Sequence, residues 1–315
     1  MSQPKLNLIY IASIGRSGTT LFESILGAHS QIETVGEVHI WPHELAQGGF
    51  QPCGSGQYVW DDPFWEEMRR RVNPFKQPAP QIHHFREFHN HGYTLRPSQL
   101  KAIRRGTVPH DIQAKIHQYG LNNYELFKSF ADLVEEETGT RPDWLVDASK
   151  DPYRLTWLLR SGFFNVKVIH MVKNPPGFVY SVTKQWLKSE DPMRGLKRLY
   201  YTSRQSLAWV IQNRLFSQVI DNLVDPSDQM LLQYEDLARA PHEHTLAACE
   251  LIGLPFEADA VDNFRMGSPF TIAGNPMRYR SGGIVLDEKW KTQLPASSRT
   301  LAALVTGSTR ARYGY

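Results

Sequence analysis

Short apolar runs alternate along this chain with stretches whose apolar residues recur at helical spacing. Residues 8–12 form the first run. A polar turn, Gly15-Arg-Ser-Gly-Thr-Thr, follows, and then Leu21, Phe22, Ile25 and Leu26 fall on one helical face. A turn and short strand are expected over 29–35. Between 36 and 120 the periodicity breaks down into a segment rich in Trp, His, Pro and Gly. It resumes with a helix over 122–137, where Leu126, Phe127, Phe130 and Val134 share a face. The pattern then predicts a strand over 144–147, a helix carrying Leu155, Leu158 and Leu159, and a buried-type strand over 166–172. Next come a helix with Phe178, Val179 and Val182, a long helix over 193–222, a strand over 230–234 and a helix from Pro241. From Phe264 the chain is irregular and basic until a final helix over 287–305. Strands alternating with helices indicate an α/β fold with a parallel sheet flanked by helices. The 38–120 segment reads as an insertion of loops and short helices, of the kind that forms binding loops or lids.

Composition narrows the function classes. At 315 residues the chain has the length of one large domain or two small ones, and its 41% apolar content is ample for a buried core. A net charge of +3 is too mild to argue for nucleic acid, so basic residues must act locally on small anions. No basic segment followed by a long apolar run precedes the first strand, and no stretch approaches the roughly 18 apolar residues of a membrane helix. Cys53 and Cys249 make no disulfide framework. Cys249 falls in a helical pattern and reads as core. The expectation is a soluble cytoplasmic protein.

The candidate chemistry clusters where strands end, which is where open α/β sheets bind ligands. Residues 15–20, 147–150, 173–181 and 234–236 all directly follow strands. The first has the layout of a phosphate cradle: a strand, a Gly/Ser/Thr turn and a helix whose first amides lack partners within the helix. An ATP or GTP loop carries a Lys before the Ser/Thr. Here Arg16 precedes Ser17 and Gly18, and Thr19 and Thr20 open the helix, which points to a different phosphate-bearing donor. The plain alternative is a tight turn using Gly15 and Gly18 for backbone reasons alone. Lys173 and Ser181 span a strand end and the first turns of the next helix, where together they can hold one phosphate dianion. The alternative is an exposed Lys and an ordinary helical Ser.

Gly15-Arg-Ser-Gly-Thr-Thr-Leu resembles the 5′-phosphosulfate loop of sulfotransferases that use 3′-phosphoadenosine-5′-phosphosulfate (PAPS). Val172-Lys-Asn-Pro-Pro-Gly-Phe-Val-Tyr-Ser resembles their 3′-phosphate motif, which is usually Arg-Asp-Pro-Arg followed by a Ser. Val146-Asp-Ala-Ser-Lys-Asp-Pro-Tyr-Arg, Gln233-Tyr-Glu-Asp-Leu, Gly274-Asn-Pro-Met-Arg-Tyr-Arg, Leu286-Asp-Glu-Lys-Trp and Arg312-Tyr-Gly-Tyr resemble the bacterial branch, similar to carbohydrate and tyrosylprotein sulfotransferases. The matches run in order over nearly the whole chain. The departures are Lys173 where Arg is usual and Asn174 where Asp is usual; Lys keeps the charge and loses the bidentate fork.

The resemblance implies a P-loop NTPase-like sheet in one domain over 1–315, with 38–120 on the acceptor side and 264–315 covering the nucleotide. It implies PAPS as co-substrate, 3′-phosphoadenosine-5′-phosphate (PAP) as product and no metal. The acceptor is then a small molecule, a glycan or a peptide bearing a hydroxyl or an amine. Nucleotide contacts are expected from Gly15, Arg16, Ser17, Gly18, Thr19, Thr20, Lys173, Ser181, Tyr234, Arg278 and Arg280. Glu37 resembles the catalytic base, with His39 as the alternative, and Lys150 the lysine that stabilises the bridging oxygen, with Arg16 assisting. Against these stand plainer readings: a solvated Glu37, Lys150 paired with Asp147 or Asp151, and a solvated basic loop at 278–280. Arg154 contacts the nucleotide or packs, and Glu235 and Asp236 read as structural. His83, His84, His89 and His91 match no zinc spacing; a lid or acceptor-contact role suits them better. Trp41, Trp60, Phe64 and Trp65 either stack on an acceptor or belong to the core. The rival functions are a P-loop kinase or NTPase with an aberrant loop, and a non-catalytic nucleotide-binding module.

Overall fold

The computed structural model describes residues 4–41, 51–72, 110–187, 195–279 and 281–315, with backbone alone for 110–115 and 185–187. Five parallel strands form one sheet: β1 (Leu6–Ala12), β2 (Ile32–Gly36), β3 (Trp144–Asp147), β4 (Phe164–Val172) and β5 (Gln229–Gln233), in the order β2-β3-β1-β4-β5. The helices are α1 (Thr19–Leu26), α2 (Pro63–Arg71), α3 (His110–Thr138), α4 (Pro152–Ser161), α5 (Pro175–Leu187), α6 (Gly195–Leu223), α7 (Tyr234–Arg239), α8 (Pro241–Ile252), α9 (Ala258–Asp262), α10 (Trp290–Gln293) and α11 (Ala296–Arg312).

Both faces of the sheet are covered, which is why the central strands read as unbroken apolar runs. Side chains alternate across a strand. Leu8, Tyr10 and Ala12 therefore join a core with Phe127 and Phe130 of α3, Leu155 and Leu158 of α4, and Phe216 of α6. Ile9 and Ile11 face the other way, onto Phe22 and Ile25 of α1, Leu237 of α7 and Ile252 of α8. A third cluster joins Phe178 and Val179 of α5, Trp209 of α6 and Ala302 of α11. The α/β layout thus matches the expectation.

Three boundaries differ. Helix α3 begins at His110, well before residue 122. Gly120 is not a stop signal; a Cβ there would lie 2.3 Å from Ser161 Cβ, so the glycine lets α3 pass close to the end of α4. Tyr234 opens α7 instead of ending β5. The expected last helix is two, α10 and α11, separated at Leu294-Pro295, because the residue before a proline is pushed out of the helical region.

Within the expected insertion, Asp62 caps α2 by accepting from the amides of Phe64 and Trp65. Trp41, Phe64 and Trp65 are core residues: Trp41 and Trp65 lie 5.5 Å apart, Phe64 stacks on Phe270 at 4.2 Å, and Trp65 Nε1 donates to the Phe270 carbonyl. Trp60 is exposed, with the Arg69 guanidinium 4.4 Å over its ring. Cys53 and Cys249 are both buried free thiols. No described helix is long and apolar enough to cross a membrane.

Candidate active site

The turn after β1 forms a cradle. Arg16 and Gly18 have φ of 72° and 91°, so the backbone curls through the left-handed region twice in three residues. The first backbone bonds of α1 run from Leu21 and Phe22 to the Gly18 carbonyl. The amides of Arg16, Ser17, Gly18 and Thr19 therefore have no acceptor among the described residues, as expected at a helix start. Ser17 Oγ is buried and has no partner among the described residues. Thr20 Oγ1 accepts from the Asn275 amide at 3.0 Å, which ties the loop to the segment after α9. Only glycine fits at 18, since a Cβ would meet the Tyr234 ring at 2.3 Å.

Two charged side chains meet at the ends of β2 and β3. Gly36 (φ 76°) closes β2 against the 271–273 segment; a Cβ there would lie 2.3 Å from the Ile272 carbonyl oxygen. That carbonyl accepts from the Glu37 amide at 3.0 Å and so fixes where Glu37 leaves the sheet. Lys150 sits at φ 57°, an uncommon conformation for a residue with a Cβ. Two contacts hold it there. Its carbonyl accepts from Gln212 Nε2 at 3.0 Å, and the amide of Asp151 donates to Tyr10 Oη at 3.0 Å. Lys150 Nζ then donates to Glu37 Oε1 at 2.6 Å, with side-chain exposures of 8% and 26%. Asp147 and Asp151, the sequence alternatives for this lysine, are engaged elsewhere: Asp147 binds Arg154 and Asp151 caps α4.

The end of β4 carries the second cation. Lys173 Nζ lies 3.3 Å from Ser181 Oγ and 4.1 Å from the centre of the Tyr234 ring. The same ring presses on Gly18, so Tyr234 stands between the cradle and Lys173. Burial lowers the Lys173 pKa to about 8, against the raising pull of Glu235 and Asp287.

The sequence profile described as the sulfotransferase family matches residues 9–258. The chain belongs to that family. Among solved structures, the sulfotransferase domain from the Synechococcus PCC 7002 olefin synthase is similar at 21% identity and a TM-score of 0.55, over 100% of this chain and 97% of that one. The sulfotransferase domain from the curacin biosynthetic pathway is similar at 18% identity and a TM-score of 0.57, over 99% of both chains. At these identities the likeness shows the fold, the P-loop NTPase-like α/β fold of sulfotransferases. A comparison with curated proteins returns no match.

In this sulfotransferase, Arg154 is a packing residue. It is buried, with Nε donating to Asp147 Oδ2 at 2.6 Å and Nη1 donating to Tyr119 Oη and Asn123 Oδ1. Glu235 accepts from the Asn174 amide at 3.1 Å. Arg278 reaches into the molecule, with Nη2 3.7 Å from Glu23 Oε2; its Nε and Nη1 have no partner among the described residues. Arg280 and the histidines at 83, 84, 89 and 91 lie outside the described residues. Among the described residues no His, Cys, Asp and Glu cluster can hold a metal ion.

Sequence reasoning missed Glu23. It lies one turn beyond Thr19 and Thr20 on the same helical face, is buried, and accepts from Thr271 Oγ1. Burial raises its pKa; Arg278, Thr271 and Lys150 pull it down, and Glu37 adds to the rise. Glu23 thus ties the cradle helix to Thr271 and Arg278. Its spacing from Thr19 was the signal available in the sequence.

Proposed function

We propose that this sulfotransferase moves the sulfuryl group of PAPS to a hydroxyl, or an amine, of a small-molecule, glycan or peptide acceptor. The observation that carries this reading is the 2.6 Å Lys150–Glu37 pair, formed after β2 and β3, with an anion cradle that has no P-loop lysine following the adjacent strand β1. The cradle suits a phosphosulfate. Its unpaired amides and the partnerless Ser17 hydroxyl supply donors for oxyanions, and a sulfonate carries less charge than a terminal phosphate, so it needs fewer cations. Lys173 and Ser181 suit the 3′-phosphate.

Glu37 takes the acceptor's proton as the acceptor oxygen bonds to sulfur and the sulfur–phosphate oxygen bond breaks. On gaining that proton the carboxylate loses its charge and its hold on Lys150. The freed ammonium then neutralises the bridging oxygen that leaves with PAP, and Arg16 adds positive charge at the cradle. Catalysis on this scheme is positioning plus electrostatic stabilisation of an in-line displacement.

Thermal shift with nucleotides tests the donor. PAP at about 100 times its Kd adds roughly 2.7 kcal/mol of stability and raises Tm without magnesium. Stabilisation by ATP with magnesium and none by PAP would return the protein to the kinase reading.

A further inference from the structure

We propose that Glu235 and Tyr315 are positioning residues that clamp the turn bearing Lys173 and so set the preference for a 3′-phosphorylated nucleotide. The proposal rests on the sulfotransferase reading above, with Lys173 facing the 3′-phosphate.

An ammonium has no fork to orient an anion, so a lysine in this position depends on where its backbone is held. Four contacts hold it. Trp209 Nε1 donates to the Lys173 carbonyl at 3.0 Å. The Asn174 amide donates to Glu235 Oε1 at 3.1 Å. Tyr315 Oη donates to Glu235 Oε2 at 2.5 Å, with the Val172 carbonyl a weaker second acceptor at 3.2 Å. Val172, Lys173 and Asn174 are thus each pinned at the backbone, and one carboxylate joins two of the pins. Glu235 is itself buried, so each oxygen needs its donor.

The hydroxyl that completes this network comes from far along the chain. Gly314 turns at φ 79° and passes within close range of the Gln233 side chain, which brings Tyr315 beside the β4–β5 edge. Burial and the neighbouring Glu235 charge raise the Tyr315 pKa, so the phenol remains a donor across the working range. At the amine itself, Ser181 Oγ donates to the Gly177 carbonyl at 2.8 Å, which leaves its lone pair toward Lys173. The Tyr234 ring supplies the other wall. The amine is held by Ser181 and Tyr234, and its backbone by Trp209, Glu235 and Tyr315.

Tyr315→Phe removes one hydroxyl and keeps the ring. Calorimetry of the full chain with PAP and with adenosine 5′-monophosphate, which lacks the 3′-phosphate, reads the result. The expected outcome is about tenfold weaker PAP binding, with the monophosphate changed less than twofold, and a raised KM for donor at unchanged kcat. Equal weakening of both nucleotides, or a PAP preference that survives intact, would overturn the clamp. Wild-type protein that binds the two nucleotides equally would instead overturn the donor reading beneath it. Should Tyr315→Phe not fold, Glu235→Gln carries the same readout, since its carbonyl still accepts from Asn174 while the charge on the Tyr315 bond is lost.

Discussion

Two ion pairs whose cations follow β3 are held in very different ways. Arg154–Asp147 and Lys150–Glu37 both close at 2.6 Å, and both cations follow β3 within seven residues of Asp147. The arginine pair has side-chain exposures of 3% and 0%; its guanidinium also donates to Tyr119 and Asn123 and lies over the Phe127 ring. The lysine pair has one bond, one quarter-exposed carboxylate and a strained backbone under the cation. A pair wrapped in further hydrogen bonds is costly to open, whereas a single bond at a strand end can be exchanged for substrate. Proximity of charge is the same in both, so access and the number of supporting bonds distinguish them, and on the proposed mechanism only the lysine pair opens during turnover.

The sharpest way to break this comparison is to remove one cation at a time. Arg154→Met leaves Asp147 charged, buried and unpaired, and is expected to cost about 3–5 kcal/mol of stability. Denaturant unfolding reads that loss, and turnover per folded molecule should stay near wild type. A variant of normal stability and lost activity would place Arg154 in the chemistry instead.

Lys150→Met and Glu37→Gln reverse the pattern. Each is expected to lower kcat by about 10²–10³-fold with a smaller change in Tm than Arg154→Met, because the pair has a single bond and its carboxylate is a quarter exposed. The two losses should not add, since each group acts through the other. Near-full turnover in both variants with normal folding would remove them from the mechanism.

How much of this was legible in the sequence follows from the range of each contact. The cradle at 15–20 could be read because glycine, hydroxyl and helix signals sit within six adjacent residues. The polar clusters after β1, β3 and β4 could be read because apolar runs mark where strands end. The pairing of charges could not. Lys150 has Asp147 and Asp151 as near neighbours in sequence, yet its partner lies 113 residues away, because Asp151 is spent on capping α4 and Asp147 on Arg154. Trp41, Phe64 and Trp65 had the composition of a sugar platform; only packing against Phe270 and Phe130 shows them as core. Tyr315 acts across 80 residues on Glu235, a contact no local pattern encodes.

Lys173 extends the comparison to a third cation, one whose charge is conditional where Arg154 keeps its own. Burial holds its pKa near 8, below the usual lysine value of 10.5. Between pH 8 and 10.5 the unfolded chain binds a proton that the folded protein releases, so stability rises with pH in this window; below about 8 both states hold the proton and the burial cost of the ammonium is constant. Binding of a dianion works the other way, because it favours the ammonium. On the proposed donor reading, PAP above pH 8 binds together with a proton, and its affinity is expected to fall by a factor approaching ten per pH unit. Adenosine 5′-monophosphate, which does not engage Lys173, should show no such slope. Glu235 and Asp287 favour the ammonium of this amine, and Lys184 and Arg16 oppose it. Lys173→Arg isolates the cause: a guanidinium stays protonated throughout this range, so its PAP affinity should be flat with pH. A wild-type slope that persists in Lys173→Arg would assign the proton to another group and leave Lys173 as a fixed charge like Arg154.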